Sequence, residues 1–355
     1  MDGAGRQPVV TDTSPYLVAP EDLGTLFPDE PSFRADQLRE WLYRSPVLTA
    51  DAMSNLPAPL RESIGDNLWP FEVEVDQSAD NGRTRKWLFR AADGAAIEAV
   101  LMGYRKRTTI CISSQVGCAM GCTFCATGQF GFDRHLEAGE IVAQVAYANA
   151  FLHQYPIAGS PDHVTNVVYM GMGEPLANYE RVRESLRRLI DVSGLSARSV
   201  TVSTVGVVPG ILRLADEPWP VYLAVSLHGA DDETRSRLVP LNDRYPLESV
   251  IEAAETYFAS KGRRLSIEWT LIDGANDSAD QARKLAAIAR RLRAHVNVIA
   301  LNPTPLSADR PSDSTTIHDF VETLLAHGAN ATLRETRGQE IDAACGQLRL
   351  RSATE

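Results

Sequence analysis

The feature that most constrains this chain is an unbroken alternation. Six stretches with strand character, over residues 108–114, 166–172, 199–204, 221–228, 264–272 and 295–302, are each followed by a stretch with helical spacing. The helical stretches read AGEIVAQVAYANAFLH, YERVRESLRRLID, VPGILRLADE, PLESVIEAAETYFAS, SADQARKLAAIARRLRA and TTIHDFVETLLAHG. Parallel strands need a crossover and a helix is the usual one, so six consecutive βα units imply a parallel sheet, either doubly wound or curled into a barrel or partial barrel. The unusual residues choose between these. A cysteine cluster, GMGEPL at 171–176, STVG at 203–206, SLHG at 226–229 and NPTP at 302–305 all fall at or just past strand C-termini, the face on which such folds place their active sites. Five strand ends contributing to one rim fit a curved sheet around a central site better than a flat sheet with a single crevice.

The rest of the 355-residue chain divides around this core. Residues 1–30, rich in Pro, Gly, Asp and Thr, are expected to form a loose arm. Residues 31–85 are expected to form a small N-terminal helical accessory domain: SFRADQLREWLYR places Phe33, Leu38, Trp41 and Leu42 on one helical face, and NLPAPLRESIGDN suggests a second helix. KWLFRA and AIEAVLM, within 86–103, read as a strand pair joined at Asp93-Gly94. The core is expected over 104–337, with a short run ATLRETRG leading into a C-terminal segment over 338–355. No basic start with an apolar run opens the chain, and no apolar stretch has the length of a membrane span, so the expected location is the cytoplasm, without a membrane partner.

Thiols in that compartment stay reduced, which turns clustered cysteines toward metal or catalysis. Four of the five cysteines fall within CISSQVGCAMGCTFC, and the fifth, Cys345, stands near the C-terminus in AACGQL. Cys118, Cys122 and Cys125 make a C-x3-C-x2-C run. Structural zinc sites use four ligands, usually as two close pairs; here a fourth would have to be Cys111 or a distant histidine. Three cysteines suit an iron–sulfur cluster in which one iron stays open. A zinc-stapled RNA-binding module without catalysis stays as the alternative. The net charge of -11 argues against a nucleic-acid partner. Locally, however, residues 83–107 carry Arg83, Arg85, Lys86, Arg90, Arg105, Lys106 and Arg107 against only Asp93 and Glu98, which reads either as a solvated strand face or as a basic strip available to RNA.

Taken in order, CISSQVGCAMGCTFCATG, GMGEPL, STVGVVPG, LAVSLHG, LNPTP and RETRGQEIDAACGQL resemble the RlmN family, radical S-adenosylmethionine (SAM) enzymes that methylate adenine C2 in 23S rRNA. The resemblance runs from about residue 31 to 348. GMGEPL is not a dinucleotide-binding G-x-G-x-x-G, because Pro175 and Leu176 break that spacing. The resemblance implies an α/β fold, a partial (βα)6 radical SAM barrel with the N-terminal accessory domain before it and a C-terminal tail after it. It implies a [4Fe-4S] cluster on Cys118, Cys122 and Cys125, with SAM, two molecules per turnover, lined by Gly173, Glu174, Ser203, Ser226, Leu227, His228 and Asn302.

The chemistry accounts for the spare thiols. Adenine C2 lies between two ring nitrogens and is electron-poor, so it does not attack the SAM methyl as an ordinary nucleophile. The resemblance implies that Cys345 takes a methyl from one SAM, and that a radical from a second SAM removes hydrogen from it so that its carbon adds to C2. Glu98 then matches the family's proton acceptor, and Cys111 matches the thiol that releases the adduct by closing a transient disulfide with Cys345. The implied partners are 23S rRNA, transfer RNA as a further substrate, and a reductant such as flavodoxin; the chain is expected to act as a monomer. Enzymes of the chloramphenicol–florfenicol resistance type, which methylate C8 of the same adenine, share both extra cysteines and stay open as an alternative, although SFRADQLREWLYR and NLPAPLRE look more like the C2 enzymes. Ten residues follow Cys345, with Arg349 and Arg351 the cations among them, so the grip on RNA is expected from the 83–107 strip, the N-terminal domain, or helix faces carrying Arg187, Arg188, Arg290 and Arg291.

Overall fold

The computed structural model describes residues 13–304 and 307–334. Two helices, α1 (Phe33–Tyr43) and α2 (Ala58–Ile64), precede the sheet. The sheet opens with four strands that run antiparallel, β1 (Phe71–Ala79), β2 (Thr84–Ala91), β3 (Ala96–Tyr104) and β4 (Arg107–Cys111). A separate ribbon of β5 (Gln115–Gly117) and β6 (Phe132–His135) brackets the short helix α3 (Ala126–Gln129). From β4 the sheet continues in parallel through β7 (Asn166–Tyr169), β8 (Val200–Thr204), β9 (Tyr222–Ser226), β10 (Ser266–Leu271), β11 (His295–Ala300) and β12 (Asn330–Leu333). The crossovers are α4 (Ala138–Gln154), α5 (Tyr179–Arg187), α6 (Val208–Asp216), α7 (Asp232–Leu238) with α8 (Leu247–Lys261), α9 (Ala279–Arg291) and α10 (Ser314–Ala326).

Strand order follows chain order throughout the ten-stranded sheet. Right-handed crossovers between sequential neighbours all return on the same side, so the helices form one outer layer. The side-chain pattern agrees. In β10, Ile267, Trp269 and Leu271 are buried in the main core, whereas Ser266, Glu268 and Thr270 take the opposite face. A doubly wound sheet is apolar on both faces; this one is apolar on the helix side, and its polar face curves around an interior space lined by Thr201, Ser203, Ser226, Glu268 and Asn297. The partial barrel expected from the strand-end residues is therefore the arrangement found. Helix ends are closed by side chains where the sequence supplies them: Asp231, Ser278 and Asp313 accept from the first-turn amides of α7, α9 and α10, and Gly262 takes the left-handed conformation that ends α8.

Two expectations about the N-terminal region need correction. Residues 13–30 of the supposed loose arm are fastened to the body: Ser14 Oγ donates to the Leu68 carbonyl at 2.9 Å, and the buried Tyr16 hydroxyl donates to that of Leu42 at 2.9 Å. Tyr16 also stacks on Trp69 at 5.2 Å, so an aromatic anchor outweighs the turn-rich composition. The segment expected to be a helical domain over 31–85 contains a strand, because FEVEVDQSA alternates and pairs with β2 from Phe71↔Ala91 to Ala79↔Thr84.

Gly139, in the first turn of α4, carries that arm. A Cβ there would overlap the Tyr16 carbonyl and lie 2.9 Å from the Leu17 Cα, and both obstacles are backbone. Replacing Gly139 with Ala should therefore lower the thermal midpoint, by an amount equivalent to roughly 1–3 kcal/mol, although alanine favours a helix. An unchanged or raised melting temperature would show that the arm does not depend on this contact.

Candidate active site

Past Cys111 the chain turns through β5 into the cysteine loop. Left-handed Gly117 and Gly121 shape it; a Cβ at Gly117 would strike the Gly131 carbonyl. The Cys118 amide donates to the Gly131 carbonyl at 2.8 Å and the Cys125 amide to that of Cys122 at 3.2 Å, after which α3 begins. Cys118, Cys122 and Cys125 all line one cavity of about 260 Å³. Burial pushes the Cys118 thiol up to about 12, and neighbouring Cys125 and Glu174 add to the rise; Cys122 is raised well above its usual value for the same first reason. Ionising these sulfurs needs cationic partners at the site. Among the described residues no three His, Cys, Asp or Glu side chains gather closely enough for a single metal ion.

Strand ends complete the cavity. Gly171 and Gly173 follow β7, and a Cβ on Gly171 would lie 2.5 Å from the Ile112 carbonyl oxygen, while one on Gly173, at φ +98°, would meet the Gln115 side chain at 2.5 Å. Glycine is required for this turn to pass so close to the strand that carries the cysteines. Glu174 is buried; its carboxyl accepts from the amides of Leu176 at 3.0 Å and Val205 at 2.8 Å. Desolvation raises its pKa to about 7 against the lowering effect of those hydrogen bonds. Ser203 and Ser226 reach the cavity from β8 and β9. The buried His228 accepts from the Thr270 amide through Nδ1 at 3.0 Å, which leaves its proton on Nε2. Burial, with help from Arg235, lowers its pKa to about 3, so it is a neutral donor.

The Leu227 side chain sits in the main apolar core, because alternation turns it away from Ser226 and His228, which line the cavity. Asn302, past the end of β11, is not a lining residue either. Cys111 lies apart from the other three cysteines, in an apolar group with Val100, Met102, Val168 and Met170. Glu98 is two residues along β3 from Val100, the cross-strand partner of Cys111, so both project from the same face of the sheet. Its carboxylate pairs with Lys86 Nζ at 2.8 Å, and both side chains are fully buried. Cys345 lies outside the described residues. Tyr169, Thr204, Glu268, Thr270, Ile299 and Arg334 also line the cavity and were not singled out from sequence; period-2 alternation within β8 and β10 was the available signal.

The basic strip does not hold together. Lys86 is buried against Glu98, Arg85 pairs with Asp76 at 2.6 Å and Arg90 with Glu74. Arg83, Arg105, Lys106 and Arg107 remain exposed, at turns on one end of the sheet.

The model of the Radical SAM superfamily matches residues 112–286, and that of the Ribosomal RNA large subunit methyltransferase N-terminal domain matches residues 25–68. A relative from Rhodococcus erythropolis, named as a probable dual-specificity RNA methyltransferase RlmN, is 49% identical over 327 residues, 90% of this chain and 89% of its own length. The chain belongs to the RlmN family. A second RlmN relative, from Salinispora tropica, is 46% identical over 353 residues, covering 98% of this chain and 91% of its own. The crystal structure of a radical SAM methyltransferase from Sphaerobacter thermophilus superposes with a TM-score of 0.88 at 45% identity, over 94% of this chain and 98% of that one. Radical SAM membership gives the RlmN chain its cofactors, a [4Fe-4S] cluster and SAM. The residues present fit them: the three thiols share one cavity with a buried carboxyl, a neutral imidazole donor and a glycine cradle, and burial raises the pKa of Cys118 and Cys122 so that they ionise only beside cationic partners. Among the described residues no helix is long and apolar enough to cross a membrane.

Glu174 makes stability depend on pH in a definite direction. Its pKa is higher in the folded protein than in the unfolded chain, so the stability linked to its proton is fully present below about pH 4.5 and is lost as pH rises through about 7. The difference amounts to about 3 kcal/mol. The melting temperature of the cofactor-free protein should fall between pH 5 and 7.5 relative to a Glu174→Gln variant, compared by calorimetry; parallel pH profiles for the two proteins would show that Glu174 is not the source.

Proposed function

We propose that this chain methylates C2 of adenine in 23S rRNA, and an adenine of transfer RNA as a second substrate, using a methylated Cys345 as the one-carbon carrier. The observation that carries this reading is the cavity itself: three cysteines of one loop and the ends of successive parallel strands face the same space. Cys118, Cys122 and Cys125 would hold the cluster, and Gly173, Glu174, Ser203, Ser226 and His228 would hold SAM, with Asn302 a weaker member of the set. When bound, the cluster with SAM supplies one-electron reductive cleavage of the sulfonium.

The remaining work belongs to side chains of this protein. Glu174, close to neutrality in its pKa, becomes a fixed anion when an ammonium group docks beside it. His228 offers an N–H without bringing a charge. Glu98, held at Lys86, takes the C2 proton from the RNA adduct. Cys111, opposite Val100 of β3 and packed with Met102 and Met170, attacks the Cys345 sulfur. That step breaks the bond between the Cys345 sulfur and the transferred carbon, whose bonding pair takes up a proton to leave the methyl on C2, and forms a disulfide whose reduction requires two electrons from an external donor. A flavodoxin-type reductant, action as a monomer and a cytoplasmic location complete the proposal. The match of residues 25–68 to the rRNA methyltransferase N-terminal domain favours C2 over C8.

Anaerobically reconstituted protein should be brown and should yield a methylated adenosine that co-elutes with the C2 standard in nucleoside mass analysis. A Cys345→Ala variant should keep iron and sulfide yet give no product. Retained methylation by that variant would refute the carrier, and a C8 product would refute the position. Charge removal at Arg105, Lys106 and Arg107 should weaken RNA binding and reduce the slope of log K against log salt by about 2, since each phosphate contact contributes roughly 0.7–0.9. An unchanged slope would place the RNA elsewhere.

A further inference from the structure

The cysteine-lined cavity does not stand alone inside the barrel. A second, of about 470 Å³, lies toward the N-terminal ends of the strands, lined by Arg107 and Thr109 of β4, Asn166 of β7, Thr201 of β8 and Tyr222 of β9. Its size falls within the roughly 300–1,000 Å³ of pockets that hold small ligands. Met170, Glu268 and Arg334 line both cavities, so the two meet at these residues, next to the apolar group around Cys111. Exposed Arg105, Lys106 and Arg107 stand in the β3–β4 turn at this N-terminal end, with the Arg107 guanidinium over the Tyr104 ring at 4.3 Å.

Glu268 is 4% exposed. Its Oε1 accepts from Ser266 Oγ at 2.7 Å and from Asn297 Nδ2 at 2.8 Å, and those two bonds fix the plane of the group. Its Oε2 is buried and has no hydrogen-bond partner among the described residues. Leaving a buried acceptor unmet is unfavourable, and an acceptor turned to the junction of two cavities suits a donor brought by a ligand.

We propose that the target nucleotide enters the barrel through this second mouth, opposite the cysteine loop, and that Glu268 Oε2 accepts a hydrogen bond from the exocyclic amino group of its adenine. The inference rests on the RNA methyltransferase reading above. The cysteine loop occupies the other end of the barrel, the exposed cations at this end complement phosphate, and the adenine amino group is the donor that uracil lacks. Glu268 is then a specificity residue, distinct from the groups that hold SAM.

The test is a cycle on enzyme and substrate together. An RNA fragment carrying adenosine at the target is compared with one carrying purine riboside there, which keeps C2 and lacks the amino group. The parent protein should prefer adenosine by about 10- to 100-fold in kcat/KM, as expected for a hydrogen bond to a charged group. Glu268→Ala should use both RNAs equally and poorly. Glu268→Gln, which presents an N–H2 to the cavity, should disfavour adenosine while iron content and SAM affinity by equilibrium dialysis match the parent. A parent that methylates RNA without regard to the amino group, or a preference that survives in Glu268→Ala, overturns the inference alone. A fall in SAM affinity with the RNA preference intact assigns the donor to SAM and also overturns it. A parent that methylates no RNA removes the functional reading, and this inference with it. Thr201→Trp, which fills the second cavity, should abolish methylation and spare SAM binding; methylation at the parent rate would overturn the entry route.

Discussion

A parallel sheet whose strands carry apolar residues on one face only cannot be covered by helices on both sides. Trp269 and Ile267 are wholly buried on the helix side, while Ser266, Glu268 and Thr270 of the same strand need polar company. Curving the sheet around them satisfies both demands. Everything functional follows from that curvature: it brings strand ends separated by more than a hundred residues to one cavity and leaves a second opening at the other end. The antiparallel extension through β2 and β3 adds the Lys86–Glu98 pair to the inner face, outside the span that the Radical SAM superfamily model matches.

The electrostatics of the site are arranged for charges that arrive with ligands. Burial keeps the sulfurs of Cys118 and Cys122 protonated, holds Glu174 near neutrality and makes His228 a neutral donor. In that low-polarity setting an incoming cation changes protonation states as well as energies, because removing water strengthens each interaction. The buried pair of Lys86 and Glu98 follows another rule. A buried ion pair contributes little net stability against an apolar replacement, yet removing either partner leaves an uncompensated buried charge, so Lys86 and Glu98 fix each other beside the Cys111 row.

Much of this was legible in the sequence. The βα alternation, the C-x3-C-x2-C run and the glycines of GMGEPL are local signals, and each lands where local rules put it. The errors have physical causes. Tyr16 and Leu23 anchor a segment whose composition reads as loose, because a few buried contacts outweigh many turn-forming residues. The basic strip dissolved because Lys86, Arg85 and Arg90 found carboxylates on paired strands, which counting charges along the chain does not reveal. Cys345, for all its weight in the sequence, lies outside the described residues.

By itself the sequence determined the succession of strands and helices, the cysteine spacing and the family, since these depend on residue type and on distances of a few positions along the chain. The tertiary structure alone decided which polar side chains meet across the barrel: that Glu98 faces Lys86, that Glu268 keeps one oxygen without a partner among the described residues between two cavities, and that Cys111 stands apart from its sister thiols. Such meetings depend on sheet register and curvature, which arise from all the strands packing at once.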